Sequence, residues 1–232
     1  MSSRTATDIE SVDTPAGPAH ITWHRAAKPR LVLALGHGAG GGIGARDLAA
    51  LAAALPPQGF TVALVEQPWR VAGKKVAPAP KTLDTAWRAL WPALAEPGLP
   101  LVAGGRSAGA RVACRTGREL GAVAVLALGF PLHPPGRPEK SRADELLLTG
   151  VPTLVVQGGA DPFGKPAEYP DGDFDLVEIA HADHAFAVPK RAPLGQDDAL
   201  ETLTEAVATW LGRIGNARGT ASVHQSTGGP SR

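Results

Sequence analysis

One serine in this sequence lies in a setting that suits a nucleophile. The stretch LPLVAGGRSAGARVA, residues 99–113, runs from an apolar segment through paired glycines to Ser107 and then into small residues. Residues 105–109 read G-x-S-x-G, the spacing that holds a serine on a sharp turn between a strand and a helix. Side chains at the outer positions would collide with neighbouring backbone, which explains the glycines. We therefore predict that Ser107 is a nucleophile, with the N–H groups of the next helix favouring negative charge at its Oγ.

A serine nucleophile needs a base, and an acid that orients the base. Asp161 ends the apolar run PTLVVQGGAD and precedes a proline, so it is expected at a strand end, with a simple turn-forming role as the alternative. Two histidines follow the run FDLVEIA. A loop that curls back over the serine favours His184 as the base, with His181 as the alternative, while Asp183 is expected to form hydrogen bonds within that loop. The predicted chain order is Ser107, Asp161, His184.

Two backbone N–H groups are predicted to hold an oxyanion. The first belongs to Ala108, directly after the nucleophile, and the second to Ala39 in the motif HGAGGG, residues 37–42. We expect His37 to brace this loop rather than to transfer protons. Dinucleotide binding is the weaker interpretation, because residues 36–41 fit G-x-G-x-x-G only loosely and no G-x-x-x-x-G-K-[ST] motif is present.

Four side chains are candidates for contacting a substrate. His133 and Arg137 belong to the segment HPPGRPEK, residues 133–140, which forms either one wall of the substrate entrance or a plain surface connection. Arg106 and Arg111 lie on either side of the predicted nucleophile. They could attract an anionic substrate, or they could be ordinary partners in internal salt bridges.

Apolar runs that alternate with helical patterns must position these residues. The predicted strands are AHITWHR, RLVLALGHG, FTVALVEQP, LPLVAGGRS, AVAVLALGFP, VPTLVVQGGAD and FDLVEIAHA. Several of them are continuously apolar, as strands covered on both faces are. Leucine and tryptophan stripes predict helices over residues 48–55, 83–94 and 200–214. The alternation predicts an α/β fold, a three-layer α/β/α sandwich with a mostly parallel central sheet, no large cap domain, and ligands at the carboxyl ends of the strands.

Composition narrows the classes of protein further. The 232 residues suit one domain, which we expect over residues 19–215 between flexible tails at 1–18 and 216–232. The net charge of +1, without a long basic run, argues against a nucleic-acid partner. Cys114 is the only cysteine, which excludes an internal disulfide and a cysteine-based zinc site. No apolar run is long enough for a membrane span or a signal core, so we expect a cytoplasmic protein without membrane contact.

Five pieces of sequence together resemble a known superfamily. They are HGAGGG (37–42), GGRSAGAR (104–111), GFPLHPPGRPE (129–139), QGGADPFG (157–164) and ADHAF (182–186). With these motifs the chain resembles the α/β-hydrolase superfamily, within it a group related to the testis-expressed-protein and NSL-complex-subunit hydrolase-like domains, near the dienelactone hydrolases. Ala110 and Ala182 stand where that group often has glycine, and neither change removes a catalytic atom.

The resemblance implies the same three residues as the sequence pattern, with Ser107 as nucleophile, Asp161 as acid and His184 as base. The leading hypothesis is therefore a serine hydrolase that acts on a small-molecule ester or thioester-type acyl substrate and needs no metal or organic cofactor, although the resemblance indicates no particular substrate. Some relatives look like scaffolding subunits, so a non-catalytic interaction module is the alternative.

Overall fold

The apolar runs of the sequence form one central sheet in the computed structural model, which describes residues 7–225. The strands are β1 (Thr7–Thr14), β2 (Gly17–His24), β3 (Leu31–Gly36), β4 (Phe60–Glu66), β5 (Leu101–Arg106), β6 (Ala124–Leu128), β7 (Thr153–Gly158) and β8 (Asp175–Ile179). Their order is β1-β2-β4-β3-β5-β6-β7-β8. Pairing is antiparallel from β1 to β4 and parallel from β4 to β8. Every residue of β3, β6 and β7 is buried, as the continuously apolar runs predict.

Helices cover both faces of this sheet. They are α1 (Arg46–Ala54), α2 (Pro68–Val71), α3 (Pro80–Ala95), α4 (Ala108–Thr116), α5 (Ala143–Leu147) and α6 (Gln196–Gln225). The leucine stripe of α1 and the Leu203–Leu211 stripe of α6 pack in one hydrophobic cluster, on one face. The tryptophans of α3 and the small residues of α4 pack in a second cluster, on the other face. The predicted three-layer sandwich with a mostly parallel sheet and no large cap is confirmed.

The predicted tails are shorter in the structure than the sequence pattern suggested. Residues 7–14, assigned to the N-terminal tail, form β1 and pair with β2 from Thr7↔His24 to Thr14↔Gly17. The segment TDIESVDT has few apolar residues because it is an edge strand, where polar side chains face water. Trp23 anchors it by donating its indole N–H to Glu10 Oε2 at 2.9 Å. Residues 1–6 lie outside the described residues.

The last helix also continues past its predicted end. α6 runs on through Gly215 to Gln225, whereas a stop at the glycine and a flexible tail from residue 216 were expected. No proline lies between this glycine and Gln225, and a glycine without a positive φ lowers helix stability by only about 1 kcal/mol. Residues 226–232 lie outside the described residues. Between residues 7 and 225, no helix has the length and apolarity needed to cross a bilayer.

Candidate active site

Ser107 lies on a strained turn between β5 and α4. Its φ of 53° and ψ of −109° are rarely adopted by a residue with a side chain, and such strain is typical of functional positions. The turn packs against the end of β3. A Cβ on Gly105 would lie 2.5 Å from the Gly36 carbonyl oxygen, and a Cβ on Gly109 would lie 2.4 Å from the same atom. Both glycines are therefore required for the close approach of strand, turn and helix.

The loop after β8 brings a histidine back to this turn. Asp183 Oδ1 accepts the N–H groups of Ala185 and Ala187, each at 2.8 Å, as the sequence suggested for this aspartate. Phe186, only 1% exposed, anchors the loop in the core. At the start of α6, Gln196 donates its Nε2 to the Phe186 carbonyl oxygen at 2.9 Å and accepts the Val188 N–H at Oε1.

Three predicted residues meet at the carboxyl edge of the sheet. His184 Nε2 lies 2.9 Å from Ser107 Oγ, and His184 Nδ1 lies 2.8 Å from Asp161 Oδ2. An ionised carboxylate can only accept, so Nδ1–H is the donor to Asp161 and Nε2 is left to accept the serine proton. His181 is exposed on the preceding turn and makes no such contact with the serine in the described residues.

Asp161 is fully buried, and two hydrogen bonds besides that of His184 fix its position. Gln157 donates its Nε2 to Asp161 Oδ2 at 2.7 Å, and the Phe163 N–H donates to Oδ1 at 2.8 Å. The Phe163 ring also stacks on the His184 imidazole, with centroids 4.2 Å apart. Gln157 was not among the predicted site residues, although a glutamine inside an otherwise apolar strand, PTLVVQG, was a usable signal.

The two predicted oxyanion donors flank a common space. Ala39 and Ala108 both line one small cavity beside the nucleophile turn, and Ala108 is the first residue of α4, whose N–H has no partner within the helix. His37 is buried beneath this loop and accepts the Gln67 N–H at Nε2, 3.1 Å away. Its Nδ1–H then donates to the Gly38 carbonyl oxygen at 2.9 Å. Burial lowers the pKa of His37, so it stays neutral and braces the loop.

Arg106 is an internal salt-bridge partner, which is one of the two roles that the sequence left open, and it does not face a substrate entrance. Its side chain, 11% exposed, turns inward to the fully buried Asp47 of α1, with 3.4 Å between Nε and Oδ2. Its Nη2 donates to the His184 carbonyl oxygen at 2.8 Å. Burial raises the pKa of Asp47, while the Arg106 charge opposes that rise. Through these two contacts, Arg106 links the nucleophile turn to α1 and to the base loop.

Arg111 is also an internal partner rather than a free cation. Its guanidinium binds Glu145 of α5 through Nε and Nη2, at 2.8 and 2.5 Å. Arg115, one turn further along α4, binds the same carboxylate at 2.8 Å and Asp84 of α3 at 2.6 Å. This network joins three helices. Of the two roles that the sequence left open for Arg111, the structure shows the internal salt-bridge partner.

The segment 133–140 supports the acid loop at one end and is exposed at the other. His133 donates to the Pro134 carbonyl oxygen at 2.9 Å and to Glu168 Oε2 at 2.8 Å, and these two contacts raise its pKa. Its backbone N–H donates to the Phe163 carbonyl oxygen, so the imidazole is held inside rather than presented to a ligand. Arg137 is exposed just before a short 3-10 helix, and its contact with a substrate stays a prediction.

Two other kinds of chemistry find no support in the part of the chain described. Burial raises the pKa of the Cys114 thiol to about 12, so this residue carries no thiolate at neutral pH. Residues 7–225 contain no group of three or more histidine, cysteine, aspartate or glutamate side chains arranged to hold a metal ion.

This sheet order, with a strained serine between its central strand and a helix, defines the α/β-hydrolase class. The chain belongs to that family: the sequence profile of the alpha/beta hydrolase domain matches residues 27–212. No curated protein sequence matches the chain.

Solved structures share the fold. An α/β serine hydrolase without a lid from Xanthomonas campestris is 20% identical with a TM-score of 0.67, over 90% of this chain and 96% of that one. A dienelactone hydrolase from Anabaena variabilis is 19% identical with a TM-score of 0.67, over 90% and 97%. The esterase domain of a Rhodothermus marinus protein is 14% identical with a TM-score of 0.64, over 90% and 98%. At these sequence identities, the similarity shows a shared fold and nothing more.

Proposed function

We propose that this protein is a serine hydrolase that cleaves an ester or thioester-type acyl bond of a small molecule. One observation carries the proposal, the continuous hydrogen-bonded chain from Ser107 Oγ through the His184 imidazole to the buried Asp161 carboxylate. Membership in the α/β-hydrolase family supports a hydrolase function independently of this geometry.

In the first half of the reaction, Ser107 Oγ attacks the carbonyl carbon while His184 Nε2 takes the hydroxyl proton. Asp161 holds the imidazole in the required tautomer and stabilises its charged form. The negative charge that develops on the carbonyl oxygen is held by the N–H groups of Ala39 and Ala108. The tetrahedral intermediate then collapses, the bond to the leaving oxygen or sulfur breaks, and His184 passes its proton to that atom.

In the second half, water replaces the leaving group. His184 takes a proton from the water, whose oxygen attacks the acyl carbon of the Ser107 ester. Collapse of the second intermediate breaks the bond to Oγ, which regains the proton from His184. The acid is released, and no electrons are gained or lost.

The test is labelling by a fluorophosphonate, which reacts only with an activated serine. We expect the wild-type protein to gain the mass of one phosphonyl group, and Ser107→Ala to remain unlabelled with an unchanged circular dichroism spectrum. A wild-type protein that stays unlabelled, and that hydrolyses none of a panel of acyl esters, would favour the alternative of a non-catalytic interaction module.

A further inference from the structure

The small cavity beside the proposed oxyanion donors has a defined size. Ala39 and Ala108 line it together with the apolar side chains of Trp69, Leu83 and Val112, and the rest of its lining comes from His37, Gln67, Ala77 and Gly109. Its volume is about 10 Å³, which is close to the room that one water molecule needs. A methyl-sized group fits this space, and a longer chain does not.

The geometry of ester cleavage indicates whether the acyl group or the leaving group of a substrate would occupy this cavity. His184 must reach the leaving oxygen to protonate it, so the leaving group lies on the histidine side of the carbonyl carbon. Neither His184 nor Ser107 is among the described residues that line the cavity, whereas Ala108 and Gly109, the two residues directly after the nucleophile, do line it. The acyl substituent leaves the same carbon in another direction. A cavity that borders both oxyanion donors and excludes the base therefore suits the acyl substituent.

The wall of the small cavity is held rigidly. Trp69 is 6% exposed, and its ring meets the edge of the His37 imidazole with centroids 5.4 Å apart. His37 is itself fixed through both ring nitrogens. Leu83, 7% exposed, projects from the first turns of α3 in the same hydrophobic cluster. Because close-packed side chains do not yield freely, the cavity keeps its size when a substrate binds.

A larger apolar pocket lies on the other side of this wall. Its volume is about 150 Å³, and its lining includes Val76, Pro78 and Ala86. Gln67, Trp69 and Leu83 line both spaces, so they form the partition between them. Shortening a side chain in the partition would join the two spaces into one continuous acyl channel.

The geometry points to short acyl esters, of the acetyl class, as substrates of this site, with Leu83 as the residue that limits acyl length. This inference rests on the proposed function, because it concerns the substrate of the same serine. Apolar burial makes each methylene that enters such a channel worth about fourfold in kcat/KM.

The experiment compares p-nitrophenyl acetate with p-nitrophenyl hexanoate. We expect the wild-type protein to prefer acetate and Leu83→Ala to raise the ratio of kcat/KM for hexanoate over acetate at least about tenfold. The matched control is Leu90→Ala, which removes the same atoms two turns further along α3 from a fully buried position outside both cavities. It should leave the ratio unchanged.

Two further measurements keep the outcomes distinct. Leu83→Val enlarges the space less and should shift the ratio in the same direction, so it decides the question if Leu83→Ala does not fold. Fluorophosphonate labelling of Ser107 is followed in every variant. Labelled proteins whose ratio is unchanged in both Leu83 variants would overturn the acyl subsite while leaving the proposed function intact. A wild-type protein that is not labelled would overturn both.

Discussion

The buried ion pair between Arg106 and Asp47 is expected to contribute measurably to the stability of the folded protein. Arg106→Met keeps a side chain of similar length and removes its charge. Asp47 is fully buried and Arg106 is 11% exposed, so water cannot replace the lost partner. Removing one partner of a buried pair costs about 3–5 kcal/mol. The 3.4 Å separation between Nε and Oδ2 places the expected cost at the lower end, about 3 kcal/mol.

This cost converts into a measurable change in melting temperature. A domain of this size loses about 2–4 °C per kcal/mol, so Arg106→Met should melt about 6–12 °C below the wild-type protein at pH 8. Thermal unfolding followed by circular dichroism measures the difference. Burial already raises the pKa of Asp47, and loss of the Arg106 charge raises it further. A carboxyl group whose pKa is higher in the folded than in the unfolded state makes the folded protein less stable as pH rises. The difference in melting temperature between Arg106→Met and the wild-type protein should therefore shrink at pH 5.

A double variant tests whether the buried charge is the cause. Asp47→Asn combined with Arg106→Met removes the charge while keeping the shape of the carboxyl group, and should recover at least half of the lost stability. Both variants lack the donor to the His184 carbonyl oxygen, so ester hydrolysis lost in Arg106→Met should not recover in the double variant. A stabilising role for this ion pair would be refuted if the single and double variants melted at the same low temperature, or if Arg106→Met melted like the wild-type protein.

Two other predictions concern the proposed catalytic residues. His184→Ala should lower kcat by several orders of magnitude, since the members of a triad act as a unit. His181→Ala should leave ester hydrolysis nearly unchanged. Equal losses in the two variants would contradict the assignment of His184 as the base. Gln157→Leu removes one of the two hydrogen bonds that hold the buried Asp161 carboxylate besides that of His184. A bond to a charged group is worth about 1.5–3 kcal/mol, so kcat should fall about 10–100-fold. A variant that is stably folded and fully active would show that Phe163 alone holds the acid.

The sequence was informative where local pattern and chemistry coincide. The strained turn at Ser107 could be predicted because only glycine tolerates the contacts made at residues 105 and 109. The meeting of Asp161 and His184 with that serine followed from a general property of parallel sheets, whose carboxyl ends share one edge. His184 could be chosen over His181 as the base because a catalytic histidine must lie far enough beyond the strand end for its loop to curl back over the serine.

Long-range side-chain partners could not be predicted in the same way. Arg106 and Arg111 were considered as substrate contacts because their positions in the chain flank the nucleophile. Their partners, Asp47 and Glu145, come from distant helices, and only the packed structure shows which carboxylates meet them. β1 was missed for a related reason, since an edge strand carries few of the apolar residues that mark a buried one.

The bond between Gln196 and the loop of His184 has a consequence for how the protein is made. The segments that carry the nucleophile and the oxyanion donors leave the ribosome well before the base loop and the last helix. Gln196, the first residue of that helix, holds the base loop through Phe186 and Val188. A nascent chain that has not yet docked its last helix therefore displays the serine without a fixed base. The proposed hydrolase would stay inert during synthesis and become active only when its C-terminal helix packs against the sheet.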